Sequence, residues 1–485
     1  MQNASLIKTA SYINGEWQSD AERQFAVTNP ANGREIIQVQ NATATDAKAA
    51  IDAAERALPD WRKKTAKQRA NILRRWFELM LQHQDELASI LTAEQGKPLA
   101  EAKGEIAYGA NYVEWFAEEA KRVYGDTIPQ ANSDSRIVVI KQAVGVVTAI
   151  TPWNFPNAMI ARKAAPALAA GCTFVVKAAG ETPLSALAMA QLAEQAGIPA
   201  GVFNVLASDN AKPIGEVLTT DPRVAKFSFT GSTAVGKTLL KQCASTVKRT
   251  TMELGGNAPF IVFADADLDK AVSGLIASKF RNAGQTCVCS NRIFVQSDVY
   301  EAFTKKLLEA VKDLNVGEGT QAGVTIGPLI TQDALDGVDQ LVKQAVHDGA
   351  QLEVGGEGHD LGGLFYQPTV LSQVTPDMAV AREEIFGPVA PLIKFETEAD
   401  VIRLANDTNV GLASYMYSRD IGTIWRVAEA LEFGMVGINT GAISNEMAPF
   451  GGVKESGMGR EGSKYGIEDY LEIKYLCMAG ISDEN

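Results

Sequence analysis

Between residues 145 and 206 short apolar runs alternate with amphipathic stretches, and this alternation constrains the fold more than any other feature. Residues 145–150, 173–176 and 202–206 read as strands, and 159–170 and 184–196 as helices. Strands separated by helices cannot pair as hairpins, so they form parallel βαβ units with a nucleotide-sized crevice at the strand C-termini. A second series runs from Pro259 to about Tyr415. Before the first series, residues 44–120 show apolar side chains three and four apart, which predicts helices. The β-branched run 136–140 (RIVVI) predicts an extended segment outside the main sheet.

A chain of 485 residues exceeds one ordinary core, so two α/β domains are expected, with no internal repeat. The net charge of -13 repels phosphate backbones and argues against nucleic-acid binding. The basic stretch from Arg62 to Arg75 shares a helix pattern with Trp61, Leu73 and Phe77, and reads as a solvated stripe. No segment reaches membrane-spanning length and no signal sequence is evident, so a cytoplasmic protein is the expectation. Five scattered cysteines and three separated histidines give neither a disulfide framework nor metal-ligand spacing, and no metal is expected.

Four short motifs bear on chemistry. Residues 231–238 (GSTAVGKT) follow a predicted strand at 224–229 and satisfy the P-loop pattern, although such a turn also cradles a dinucleotide pyrophosphate or simply closes a loop. Residues 282–291 (NAGQTCVCSN) put Cys287 and Cys289 in a glycine-containing polar loop, whose backbone amides can stabilise a thiolate. Cys172, Cys243 and Cys477 read as ordinary small hydrophobes. Glu253 precedes two glycines in MELGGN; in partly apolar surroundings its pKa rises, as a general base requires, whereas an exposed Glu would do nothing. Asn154 sits in the rigid turn PWNFP, and its amide suits either oxyanion stabilisation or a structural role.

Together and in this order, the motifs resemble the aldehyde dehydrogenase superfamily, from SYINGEW near residue 11 to GREGSKYGIEDYLEIKY at the C-terminal end. The resemblance implies a Rossmann-like parallel-sheet cofactor domain (1–123 and 148–253), an α/β catalytic domain (254–440) and a small β oligomerisation element (124–147 and 466–485). Residues 441–465 would return to the cofactor domain and line the substrate tunnel. It implies Cys287 as nucleophile, Glu253 as general base, and Asn154 as oxyanion donor. NADP or NAD would be held by Trp153, Lys177, Gly180, Gly231, Ser232, Gly236, Leu254, Glu384 and Phe386.

Within the superfamily the sequence is most similar to the succinate-semialdehyde dehydrogenases, through MIARKAAPALAAG, KFRNAGQTCVCSNR and GAISNEMAPFGGVKESGMGREGSKYGI. That branch implies Arg162, Arg281 and Ser444 as ligands of a distal carboxylate, Cys289 as a redox partner of Cys287, and a homodimer or homotetramer. Neither arginine has an acid in its immediate sequence surroundings, so both are expected to be free for the substrate. Glutarate semialdehyde is the nearest rival substrate. A P-loop NTPase and a non-catalytic, crystallin-like relative are the rivals from other classes. One departure concerns the cofactor: where relatives often read K-P-[AS]-E-x-T-P, residues 177–183 read KAAGETP. Gly180 thereby removes an acid that would repel the 2′-phosphate of NADP⁺, while Glu181 could restore it.

Overall fold

The computed structural model describes residues 5–481. Residues 1–4 of the expected cofactor domain and 482–485 of the expected oligomerisation element lie outside the described residues. The first sheet has eight strands. Its centre is Phe203–Leu206, Thr173–Lys177, Val146–Ile150, Val224–Thr230 and Arg249–Glu253, all parallel. These central strands are almost wholly buried, as sheets covered by helices on both faces must be. The helices Ala158–Ala170 and Pro183–Gln195 connect them, each within one residue of its predicted start.

Two additions to this sheet were not visible as strands. The hairpin Ser11–Ile13 and Glu16–Gln18 turns at Asn14 and Gly15, both at positive φ, and caps the edge beside Phe203–Leu206. At the other edge Gly457–Met458 pairs antiparallel with the end of Arg249–Glu253. Two residues are too few for a periodic signal, yet they bring the 441–465 segment against Glu253. A second hairpin, Gln24–Thr28 with Glu35–Gln40, was also missed.

Residues 44–120 form four helices, Ala44–Lys63, Ala66–Gln82, Gln84–Gln95 and Leu99–Glu119. The first two begin with capping boxes at Thr43 and Thr65. The basic stripe serves the fold: Arg62 donates to the Ala143 carbonyl at 2.7 Å, and Arg74 pairs with Glu114 and Glu118 at 2.5 Å each.

The second series forms a seven-stranded sheet with a separate apolar core. It begins at Ala258–Val262 and runs past the expected end at Tyr415 to Met435–Ile438. The RIVVI run lies inside Ser135–Ala143, which pairs along nine residues with Leu471–Ala479 in a three-stranded sheet apart from both. Among the described residues no helix is long and apolar enough to cross a membrane.

Candidate active site

Where the parallel strands of the first sheet end, a trough of about 470 Å³ opens, lined by Lys177, Gly180, Gly231 and Ser232. Gly231 follows the strand Val224–Thr230 directly; a Cβ there would lie 2.5 Å from the Phe229 ring, so the close approach requires glycine. Ser232 caps the helix Thr233–Cys243 by accepting the Val235 N–H at 3.4 Å. Gly236, on that helix, packs so tightly on Leu254 that a Cβ would come within 2.4 Å of its methyl.

These facts decide the P-loop question. Only Gly231 and Ser232 separate strand from helix, too short a connection to wrap a triphosphate. Lys237, which a P-loop would aim at the terminal phosphates, instead pairs with Glu455 at 2.8 Å on the surface.

Lys177 ends its strand buried at the trough wall. Burial lowers its pKa to about 8, against the opposing charges of Glu181 and Asp209. Glu181 and Asp209 are both exposed at the trough.

A smaller pocket of about 240 Å³ adjoins the trough and shares Thr230, Gly231 and Ser232 with it. Trp153, Asn154, Glu253, Cys287, Glu384 and Phe386 line it. Asn282, Ala283 and Gly284 lie in succession at φ of +52°, +54° and +77° and turn the chain into the Cys287 loop. Two non-glycine residues in that region store strain, and dense packing holds them there. At Gly284 a Cβ would stand 2.0 Å from the Gly387 carbonyl oxygen. Gln285 ties the turn down, accepting the Ile330 N–H at 3.0 Å and donating to the Asn282 carbonyl at 3.1 Å. Phe386, itself at φ +53°, meets Trp153 edge to face at 5.7 Å. Glu384 accepts the Gly256 N–H at 3.1 Å.

Asn154 donates one amide hydrogen to the Gln285 carbonyl at 3.2 Å, which leaves the second for the pocket. Its backbone carbonyl accepts from Asn282 Nδ2 at 3.2 Å and from Lys97 Nζ at 2.7 Å. Lys97 in turn pairs with Glu105 at 2.6 Å, both side chains fully buried. The other Glu105 oxygen accepts the Asn157 N–H at 3.0 Å, so one ion pair grips the PWNFP turn at both ends. Nothing in the sequence pattern singled out Lys97 or Glu105.

The charges in this pocket differ from expectation in two respects. Glu253 is buried, and neither carboxyl oxygen has a hydrogen-bond partner among the described residues. Burial and then the Glu461 charge raise its pKa well above the carboxylate range, against Arg162, Lys163 and Arg460. Burial also pushes the Cys287 thiol up to about 12, with the Arg162 charge opposing. The loop therefore does not by itself hold a thiolate, contrary to what its polar composition suggested.

Arg162 is the second correction. It is not the free cation that its sequence surroundings predicted, for its guanidinium pairs with Glu461 at 2.5 Å and stacks on the Phe450 ring at 3.9 Å. Lys163 binds the other Glu461 oxygen. The acid comes from some 300 residues away, beyond the reach of any local search. Arg281 differs: half-buried, it lies over Phe155 at 5.0 Å and makes no ion pair among the described residues. Ser444 is half-buried in the 441–449 loop. Cys289 is buried, its thiol donating to the Lys279 carbonyl at 3.6 Å, and both cysteines of the loop are free.

The aldehyde dehydrogenase family matches residues 17–476. The chain belongs to this family. It is 60% identical to a 3-sulfolactaldehyde dehydrogenase of Pseudomonas putida and 59% identical to the NADP(+) succinate-semialdehyde dehydrogenase of Escherichia coli, in each case over 99% of both chains. The crystal structure of a succinate-semialdehyde dehydrogenase from Burkholderia pseudomallei superposes with a TM-score of 0.97 at 61% identity, covering 99% of each chain. As an aldehyde dehydrogenase, the chain has the expected α/β fold with a Rossmann-like parallel sheet and a second sheet.

Proposed function

We propose that this aldehyde dehydrogenase oxidises succinate semialdehyde to succinate with NADP⁺ or NAD⁺, through a thioester on Cys287. The observation that carries the reading is one pocket onto which a thiol, an unpartnered buried carboxylate and a half-free amide all open, beside a trough at the strand ends.

The trough fits a dinucleotide. Lys177 is buried there without a side-chain hydrogen bond or ion pair among the described residues, the helix N-terminus at Ser232 offers free amides, and Gly231 lets the backbone come close. Lys177, Gly231, Ser232 and Glu384 would hold the cofactor, and the bound nicotinamide supplies the hydride acceptor.

In the residue chemistry, the Cys287 thiolate adds to the aldehyde carbon, and the free Asn154 N–H faces the resulting oxyanion. After oxidation a thioester remains on Cys287. Glu253 takes a proton from a water whose oxygen attacks that thioester, and cleavage of the C–S bond releases the acid and regenerates the thiol. A carboxyl without a hydrogen-bond donor and with a raised pKa is suited to this, since it is a stronger base than an exposed Glu.

Arg281 supports an ω-anionic substrate. A guanidinium over the Phe155 ring, with no acid partner among the described residues, would gain a charge-assisted bond of about 1.5 to 3 kcal/mol from a carboxylate. Ser444 would add a hydroxyl, while Arg162, already paired to Glu461, would contribute mainly its field. The two relatives' names both describe aldehydes with a distal anion, and the sulfonate of one makes 3-sulfolactaldehyde a necessary competitor beside glutarate semialdehyde. A panel of these two, succinate semialdehyde and butanal, each with both cofactors, tests the reading. Succinate semialdehyde should exceed butanal by at least about a hundredfold in kcat/KM, and Arg281→Ala should erase most of that ratio. Equal losses for both aldehydes would remove Arg281 from the substrate site.

We extend the proposal to the domains and the assembly. The cofactor domain would comprise 1–123 and 148–253, the catalytic domain 254–440, and residues 441–465 would return to the cofactor domain and line the tunnel. Ile473 and Tyr475, about 70% exposed on Leu471–Ala479, support a homo-oligomer built through that strand and Ser135–Ala143.

A further inference from the structure

Asp209 lies beside Gly180, one of the two positions where KAAGETP departs from the K-P-[AS]-E-x-T-P pattern, and its place there changes the meaning of that departure. A Cβ built on Gly180 would stand 3.0 Å from the Asp209 Cα, 3.2 Å from the Ser208 carbonyl oxygen and 3.4 Å from the Asp209 Cβ. A Cβ at 180 would make the 208–209 loop give by a few tenths of an ångström, so the close approach of that loop favours glycine. The loop brings an acid of its own. Asp209 lines the same trough as Lys177, and its charge acts on the Lys177 ammonium.

The carboxylate is held rather than free to wander. Asn41 Nδ2 donates to Asp209 Oδ1 at 2.6 Å, while Asn41 Oδ1 accepts the Ser208 hydroxyl at 2.6 Å. Ser208 is itself buried and donates also to the Ala42 carbonyl at 3.0 Å. One Asp209 oxygen is therefore fixed against the 35–42 segment and the other is left for the trough. Glu181, the acid the sequence offered for this role, has no such restraint: no hydrogen bond or ion pair of its side chain occurs among the described residues.

We infer that Asp209, oriented by Asn41, is the cofactor-discriminating acid of this chain: it accepts from the adenosine ribose hydroxyls of NAD⁺ and repels the 2′-phosphate of NADP⁺. The inference rests on the reading of the trough as the dinucleotide site. It reverses what Gly180 alone suggested, since removing an acid at 180 does not empty the site of negative charge when the next loop supplies one. Lys177 stays in place for either cofactor, so NADP⁺ still binds, with a penalty set by Asp209.

Calorimetric titration of the cofactor-free protein with NAD⁺ and with NADP⁺ tests this without any turnover. Asp209→Asn keeps the shape and the Asn41 contact but removes the charge, and Asp209 is exposed, so the fold is not at stake. The NADP⁺ to NAD⁺ affinity ratio should rise by about tenfold or more in Asp209→Asn, and the ratio in the unmodified protein should itself move toward NADP⁺ as salt screens the carboxylate. Asn41→Ala should reproduce part of the Asp209→Asn shift by releasing the carboxylate, and Glu181→Gln should leave the ratio within about twofold. An unchanged ratio in Asp209→Asn overturns the inference and leaves the dehydrogenase reading intact. A shift confined to Glu181→Gln overturns it in favour of that acid. Failure of both cofactors to bind the unmodified protein overturns the trough itself.

Discussion

The trough and the smaller pocket beside it share a wall at Thr230, Gly231 and Ser232, yet they are built on opposite principles. The trough is made by topology: parallel strands end together, helices begin there, and exposed charges such as Glu181 and Asp209 hang over its edge. The pocket is made by burial: Glu253 lines it, and the buried charges of Arg162, Lys163 and Glu461, paired with one another, act on that carboxyl. Charge in the first region adjusts preference among ligands. In the second it sets whether chemistry proceeds at all, because an uncompensated charge in a dry site shifts protonation by whole pKa units.

The sharpest way to break this contrast is to remove the proposed nucleophile. Cys287→Ala should lower oxidation by at least about 10⁴-fold while cofactor affinity changes by less than about threefold, because the trough owes nothing to the thiol. Calorimetry on the variant checks the second half, and a matching loss of cofactor binding would show that the two regions are one. Glu253→Gln separates steps inside the pocket. Thioester formation needs no activated water, so one equivalent of reduced cofactor should appear in a burst, followed by a steady rate down by about 10² to 10⁴-fold. Steady turnover near that of the unmodified chain would take Glu253 out of the base role. In the unmodified protein the steady rate should rise with pH through a midpoint above the ordinary carboxylate range, since the proposed base acts only once deprotonated and burial raises its pKa.

The same contrast explains how much could be read from sequence. The βαβ alternation and the Gly231 turn are local patterns, so four of the five central strands were legible to within a residue or two, all but Arg249–Glu253. Motif resemblance singled out Cys287, Glu253 and Asn154, which line one pocket. What escaped was pairing across the chain: Lys97 with Glu105 and Asn154, Arg162 with Glu461, Asp209 with Asn41. Each joins segments from different elements, and a buried ion pair leaves no periodicity or composition at either end. The expectation that Arg162 was free failed for this reason, as the search for its acid stopped at its neighbours in sequence.

Cys289 probes the boundary of the dry region. Its thiol is buried, and burial raises its pKa, so at neutral pH it is a poor nucleophile unless Cys287 is oxidised first. If the pair is a switch, peroxide converts Cys287 to a sulfenic acid, Cys289 displaces water from it, and the disulfide protects the nucleophile. Peroxide should then inactivate the unmodified enzyme reversibly, with dithiothreitol restoring most activity, while Cys289→Ser should be lost irreversibly. Equal and irreversible loss in both would make Cys289 a buried spectator.

The smallest expected effect lies in the trough and concerns Lys177. Its pKa is about 8 in the folded chain against an ordinary 10.5, the cause being burial, with Glu181 and Asp209 acting against it. The sign for stability follows from the depressed value: the protonated ammonium disfavours the fold below about 8, and that cost fades as pH rises toward 10.5. The sign for binding is opposite, because a pyrophosphate or 2′-phosphate is drawn to the ammonium and loses it above about 8. Cofactor affinity should therefore fall by roughly threefold or more between pH 7 and 9, and more for NADP⁺ than for NAD⁺, since the acids that remain charged then face the extra phosphate unopposed. Lys177→Met should bind both cofactors more weakly at neutral pH and lose most of this pH dependence. If the decline persists undiminished in Lys177→Met, another group titrates in the trough, and the lysine's buried position serves the strand end rather than the phosphate.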